Sequence, residues 1–159
     1  MAVKRVSPEE ALELMRGQGY AYLDVRSVPE FAQGHPAGAY NVPLIHMGPL
    51  GSQPNARFVE VVERRFAKDA PLVVGCRTSG RSQQAASILE QAGFSNLLIQ
   101  QAGFVGASPM EPGWGPKGLP ASREAESGRS WDELAGEGER ALLERRSSPE
   151  EPGPSAARW

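Results

Sequence analysis

Apolar and polar positions fall into short blocks along the first hundred or so residues, and the period changes from block to block. Ser7 followed by Glu10 is a capping-box pattern, and Ala11, Leu12 and Met15 recur at helical spacing until Gly17 and Gly19 close the segment. Tyr20-Ala-Tyr-Leu-Asp-Val25 is a short apolar run ended by charge, which predicts a strand. Pro29-Glu30-Phe31-Ala32 begins a brief helical turn that stops at Gly34. Phe58, Val61, Val62 and Phe66 predict a helix from Arg57 to Phe66, and Pro71-Leu-Val-Val-Gly75 predicts a second strand. A helix over Ser82 to Glu90, ended by Gly93, and a buried strand over Asn96 to Gln100 complete the pattern.

Helices and strands that alternate with crossovers of this length fit a parallel sheet flanked by helices, so a doubly wound α/β domain is expected. The chain has 159 residues, 40% of them apolar, enough for one core. Composition shifts near residue 118: residues 1–117 hold 11 Lys/Arg and 10 Asp/Glu, and residues 118–159 hold 6 and 9, with repeated Gly, Ser and Pro. A domain over 5–120 and a weakly ordered charged tail over 121–159 follow from this. Within the tail, Ser130-Trp131-Asp132-Glu133 is a capping-box pattern that predicts a short helix around 131–146.

The net charge of −2 and the absence of a basic patch argue against a nucleic-acid partner. No apolar stretch is long enough for a signal peptide or a membrane span, so a cytoplasmic protein with no membrane partner is expected. One cysteine, Cys76, and two histidines, His35 and His46, are too few for a thiolate metal cluster, and neither a metal nor a cofactor is expected.

The chemistry concentrates in Val73-Val74-Gly75-Cys76-Arg77-Thr78-Ser79-Gly80-Arg81-Ser82. A loop that leaves the C-terminal end of a parallel strand and enters a helix turns backbone N–H groups inward, and the helix start adds partial positive charge. With a cysteine at its first position, the anion is the thiolate itself. Its pKa is expected to fall below the ordinary value of about 8.5, as for cysteines at helix starts beside arginines. Arg77 and Arg81 add charge, Thr78 and Ser79 add short hydroxyl side chains, and Gly80 permits a bend with positive φ. A cysteine serving only as a small core residue needs no such neighbours.

Three segments make the chain resemble the single-domain rhodanese family over about residues 5–120. Leu23-Asp24-Val25-Arg26, Glu30-Phe31 and Gly34-His35-Pro36-Ala37-Gly38-Ala39-Tyr40-Asn41-Val42-Pro43 match the family's first signature. The six positions from Cys76 to Arg81 match its cysteine loop, and Gly93-Phe94, Gly103-Phe104, Trp114 and Gly118-Leu119-Pro120 follow in order. Two departures stand out. Gly80 sits one place later than in the common Cys-x-x-Gly-x-Arg order, and Gln101-Ala102-Gly103 replaces a frequent Gly-Gly pair. The Cys-x4-Arg spacing resembles sulfur-transfer members; relatives acting on phosphate or arsenate have one more residue between Cys and Arg.

The resemblance implies a rhodanese-like fold and a ping-pong reaction. The Cys76 thiolate would take the outer sulfur of a donor such as thiosulfate and pass it to cyanide or a thiol. The amides of residues 77 to 81 would hold the terminal sulfur's charge. Arg77 is either a guide for the anionic donor or a solvated loop residue, and Arg81 either contacts the substrate anion with the rest of the loop or ties the loop down through carbonyls or an acid. Asp24 and Arg26 end the first strand at the same sheet edge and either line the pocket or hold the fold. His35 belongs to the scaffold, and His46, in the Gly/Pro-rich stretch 44–55, is placed to touch a donor or partner. Two other readings stay open. One is a persulfide carrier or regulatory module fed by a sulfur-relay protein, for which the tail offers a docking segment. The other, disfavoured by loop length, is an oxyanion reductase or phosphatase.

Overall fold

The computed structural model describes residues 3–49, 51–78 and 80–136. In chain order the elements are β1 (Lys4–Val6), α1 (Pro8–Gly17), β2 (Ala21–Asp24), α2 (Val28–Gln33), β3 (His35–Pro36), β4 (Tyr40–Asn41), β5 (Ile45–Gly48) and β6 (Gly51–Pro54). They continue with α3 (Phe58–Arg65), β7 (Leu72–Gly75), α4 (Gly80–Gln91), β8 (Leu97–Gln100), β9 (Gly106–Ser108), β10 (Glu111–Pro112) and β11 (Ala121–Ser122). The start of α1 follows its sequence signal. Ser7 Oγ accepts the Glu10 amide and the Ser7 amide donates to Glu10, so α1 opens on a complete capping box.

A five-stranded sheet in the order β1-β8-β7-β2-β4, all parallel, forms the centre. Alternation along the strands sends side chains to opposite faces. Leu23, Val25, Leu72 and Val74 pack with Phe58, Val61 and Val62 of α3 and with Ala85 and Leu89 of α4. Tyr22 and Val73 face the other way, against Ala11 of α1, Phe31 of α2 and Trp114. The sheet is therefore covered on both sides, as the alternation predicted, and each large apolar side chain buried this way contributes about 1.5–3 kcal/mol.

Several features carried no helical or strand signal in the sequence, the short β3, β4 and β11 among them. β1 is a short and largely exposed strand that joins the sheet beside β8. The stretch 44–55 forms the β5–β6 hairpin rather than an irregular loop. A second hairpin, β9–β10, is inserted between Gly103-Phe104 and Trp114.

The described part of the extension lies on the domain. β11 pairs with β3, Arg129 accepts the Asn41 amide on the outer side of β4, and residues 131–136 are helical. Leu134 joins the core cluster of α3 and α4, and Trp131 packs against it. Residues 137–146 of the predicted helix lie outside the described residues. Among the described residues no helix is long and apolar enough to cross a membrane.

Candidate active site

The strand order reverses direction between β2 and β7. From β2 the chain proceeds outward to β4, and from β7 it proceeds the other way to β8. In open parallel sheets the crevice beyond the carboxyl ends at such a switch point is where ligands bind. β2 ends there in Asp24-Val25-Arg26 and β7 ends in Gly75-Cys76, with Asp24 in register with Gly75 and the Val25 amide bonded to the Gly75 carbonyl at 2.9 Å. Topology therefore delivers the only cysteine of the chain to this crevice.

Cys76 is 2% exposed and sits between the end of β7 and the start of α4. Its Sγ lies 3.5 Å from Oγ of Ser82, a fully buried residue in the first turn of α4. The sulfur thus has a helix start and a hydroxyl beside it. Gly75 is required on packing grounds: a Cβ there would lie 1.9 Å from the Tyr22 hydroxyl.

The loop is held at its start by backbone alone. The Cys76 carbonyl accepts the Phe104 amide at 2.8 Å, and the Arg77 carbonyl accepts the Val105 amide at 3.0 Å. In a planar trans peptide the N–H points opposite to the C=O, so the Arg77 and Thr78 amides turn to the other side of the loop. Gly103, at φ 75°, lets the neighbouring chain come this close, since a Cβ on it would sit 2.5 Å from the Arg77 carbonyl oxygen.

At its end the loop is held by charge. Arg81 forks onto Glu30 of α2 with contacts of 2.7 and 2.9 Å. Glu30 also accepts from the Ser27 amide at 3.0 Å and the Ser27 hydroxyl at 2.8 Å. Burial alone would raise the Glu30 carboxyl, but the Arg81 and Ser27 hydrogen bonds outweigh it and hold the group at about 2. Hydrogen bonding to Glu30 in turn raises Arg81 against the opposing effect of burial, and the negative charges of Cys76 and Asp24 add to the rise. The acid that ties down Arg81 is thus Glu30.

Arg77 is exposed, and among the described residues it has none of the ion pairing that commits Arg81. Thr78 is half-buried, and Ser79 lies outside the described residues. Gly80 corrects one expectation: it is the first residue of α4 and has no positive φ, because the helix begins there and imposes right-handed geometry. The positive φ on which the loop depends belongs to Gly103 instead.

Asp24 and Arg26 form a buried pair, their side chains 2% and 4% exposed with a closest contact of 2.8 Å. Arg26 also donates to the Gly34 carbonyl at 2.6 Å and lies over the Phe104 ring. Burial lowers Arg26, but the hydrogen bonds and charge of Asp24 more than offset it and raise the group overall. These two residues therefore brace the crevice from within the fold instead of lining an open pocket. His35 bonds the Phe31 carbonyl at 2.7 Å and stacks on the Phe31 ring, as a scaffold residue should. His46, on β5, packs against Trp131.

Four residues at this centre had not been singled out for a role there: Glu30, Ser82, Gln100 and Gly103. Glu30 had a legible signal, since it follows Ser27 at the capping-box spacing. The other three are placed by tertiary structure.

A parallel α/β domain with a lone cysteine at the switch point, in a loop entering a helix, defines a class: an α/β protein with a thiol-centred site at a helix start. The chain belongs to the rhodanese family, for the rhodanese-like domain matches residues 7–108. It is 38% identical over 102 residues to thiosulfate sulfurtransferase 16, chloroplastic, of Arabidopsis thaliana, covering 64% of this chain and 79% of that protein. To thiosulfate sulfurtransferase GlpE of Pseudomonas fluorescens it is 34% identical over 101 residues, covering 64% and 81%. Against two further plant relatives the chain spans 48% of the relative's length. Among solved structures, Rv0390 from M. tuberculosis superposes with a TM-score of 0.65 at 23% identity, over 78% of this chain and all of that one, a likeness of fold.

Proposed function

We propose that this protein is a sulfurtransferase that carries a sulfane sulfur as a persulfide on Cys76, with thiosulfate as a donor and cyanide or a thiol as acceptor. The observation that carries the reading is the place of the sulfur. It lies at the switch point of the sheet, beside a helix start, in a Cys-x4-Arg loop whose first two amides turn away from the Gly103 side. The relatives named as thiosulfate sulfurtransferases support it.

In the first half-reaction the Cys76 thiolate attacks the outer sulfur of thiosulfate. A new S–S bond forms, the bond to the sulfonate sulfur breaks, and sulfite leaves with that electron pair. The terminal sulfur then bears the negative charge, and loop amides with the α4 start stabilise it, much as an oxyanion hole stabilises a developing charge. In the second half-reaction cyanide attacks the terminal sulfur and departs as thiocyanate, returning the thiolate; an acceptor thiolate would leave as a persulfide. No general base is required at the moment of attack, since the attacking species in this step is the thiolate. The near-complete burial of Cys76 favours a donor with a projecting end atom, such as the sulfane sulfur, over one that must present a broad face. Arg77, exposed at the loop, supplies the charge that draws an anionic donor.

The test is mass spectrometry after incubation with thiosulfate. A gain of about 32 Da on Cys76 that cyanide removes is the expected result. Protein that gains no mass from thiosulfate, or from any persulfide donor, would overturn the reading.

A further inference from the structure

Behind the loop lies a fully buried glutamine that the reaction itself does not use. Gln100 ends β8, next to β7, and is 0% exposed. Its Oε1 accepts the Gly103 amide at 2.9 Å, and its Nε2 donates to the Gly103 carbonyl at 2.8 Å and to the Tyr22 hydroxyl at 3.2 Å. One side chain thus closes the turn from 100 to 103 through both of its polar atoms. The turn it closes is the one whose next residues, Phe104 and Val105, hold the Cys76 and Arg77 carbonyls. An apolar side chain of the same length would leave the buried Gly103 amide unpaired, although the Gly103 carbonyl would keep the Trp114 amide, so the turn would have to move to satisfy it.

We propose that Gln100 is a positioning residue for the anion cradle: by fixing the Gly103 turn it pins the Cys76 and Arg77 carbonyls, and so aims the Arg77 and Thr78 amides to the side where a sulfur-borne charge is received. This deepens the sulfurtransferase reading and rests on it for its biological meaning. Freeing those two carbonyls would let the amides rotate out of line, and a cradle loses strength when its donors lose their aim.

The experiment compares alkylation of Cys76 by iodoacetate and by iodoacetamide. The two reagents match in size and both consume the thiolate, so access to the sulfur and its degree of ionisation cancel in the ratio of rates. What remains is preference for the negatively charged reagent. As the chain has no other cysteine, labelling reports this site alone. Gln100→Met is expected to lower the iodoacetate to iodoacetamide ratio by about tenfold, with a fall of similar size in kcat for thiosulfate. Tyr20→Phe removes a hydrogen bond to Asn96 where β2 and β8 begin, at the end of the sheet opposite to the loop, and is expected to leave the ratio unchanged. A ratio unchanged in Gln100→Met, or a fall in Tyr20→Phe as large, overturns the proposal. Should Gln100→Met fail to fold, Gly103→Ala decides: its Cβ presses on the Arg77 carbonyl, so a tenfold fall supports the proposal and an unchanged ratio overturns it. The ratio needs no sulfur donor, so a wild-type protein without thiosulfate turnover would sink the functional reading and leave this one standing.

Discussion

The two ends of the cysteine loop are secured by different physics. The start, Cys76 and Arg77, hangs on neutral backbone hydrogen bonds from the Phe104 and Val105 amides, within a buried layer formed by Gln100 and Tyr22. The end, Arg81, hangs on a charged fork to Glu30 whose side chains are 17% and 25% exposed. The neutral attachment is insensitive to pH and to salt. The charged one depends on Glu30 staying ionised and is partly open to screening. In the anion cradle proposed above, the aim of the amides rests on the insensitive half and the positive field on the other.

The largest effect expected is on the sulfur itself. Cys76→Ser should abolish sulfur transfer while circular dichroism and melting temperature stay near those of the parent; retained turnover would remove the premise that both ends serve the thiol. Next is the neutral end. Gly75→Ala would drive a Cβ against the Tyr22 hydroxyl, and overpacking of this kind costs about 1–3 kcal/mol, read as a lower denaturant midpoint.

The charged end gives a smaller and pH-dependent effect. Glu30 is lowered from 4.5 to about 2 in the folded protein, so its contribution is complete above 4.5 and is lost as pH falls from there toward 2. Acid unfolding of the parent should therefore steepen in that window, and Glu30→Gln should flatten it while lowering kcat/KM by roughly threefold to tenfold. An acid profile identical in the two proteins would deny Glu30 its role. Smallest is Arg77→Ala, expected to raise the thiosulfate KM about threefold with kcat unchanged, because an exposed charge acts on encounter more than on chemistry. A fall in kcat alone would place Arg77 in the reacting centre instead.

Much of this was legible before any coordinates. Short apolar runs located β2, β7 and β8, helical spacing located the helices, and the strand-loop-helix order around Cys76 placed the sulfur at a helix start. What the sequence did not disclose follows a physical rule. Glu30 and Arg81 lie 51 residues apart, and no local pattern encodes a contact across that distance, although the Ser27 capping signal marked Glu30 as occupied. Gln100 reads as one more polar residue at a strand end; only the neighbouring strands make it a buried hub. Gly80 was the natural choice for a bend, yet helix propagation from α4 claimed it, and the left-handed residue moved to Gly103. The stretch 121–136 lacks β-branched residues and looked unsuited to a core, but two apolar side chains, Trp131 and Leu134, were enough to seat it.

That seating has a consequence for the molecule's outline. β4 is the last strand on its side of the sheet, and an outermost strand with unsatisfied N–H groups invites another polypeptide to add to it. Here Arg129 takes the Asn41 amide, while β11 lies along β3. A chain ended at residue 108, where the family match stops, would lose this cover together with Trp114 and Leu134. Such a fragment would present an open margin to its neighbours and should self-associate, because the residues that cover β4 lie beyond the family match.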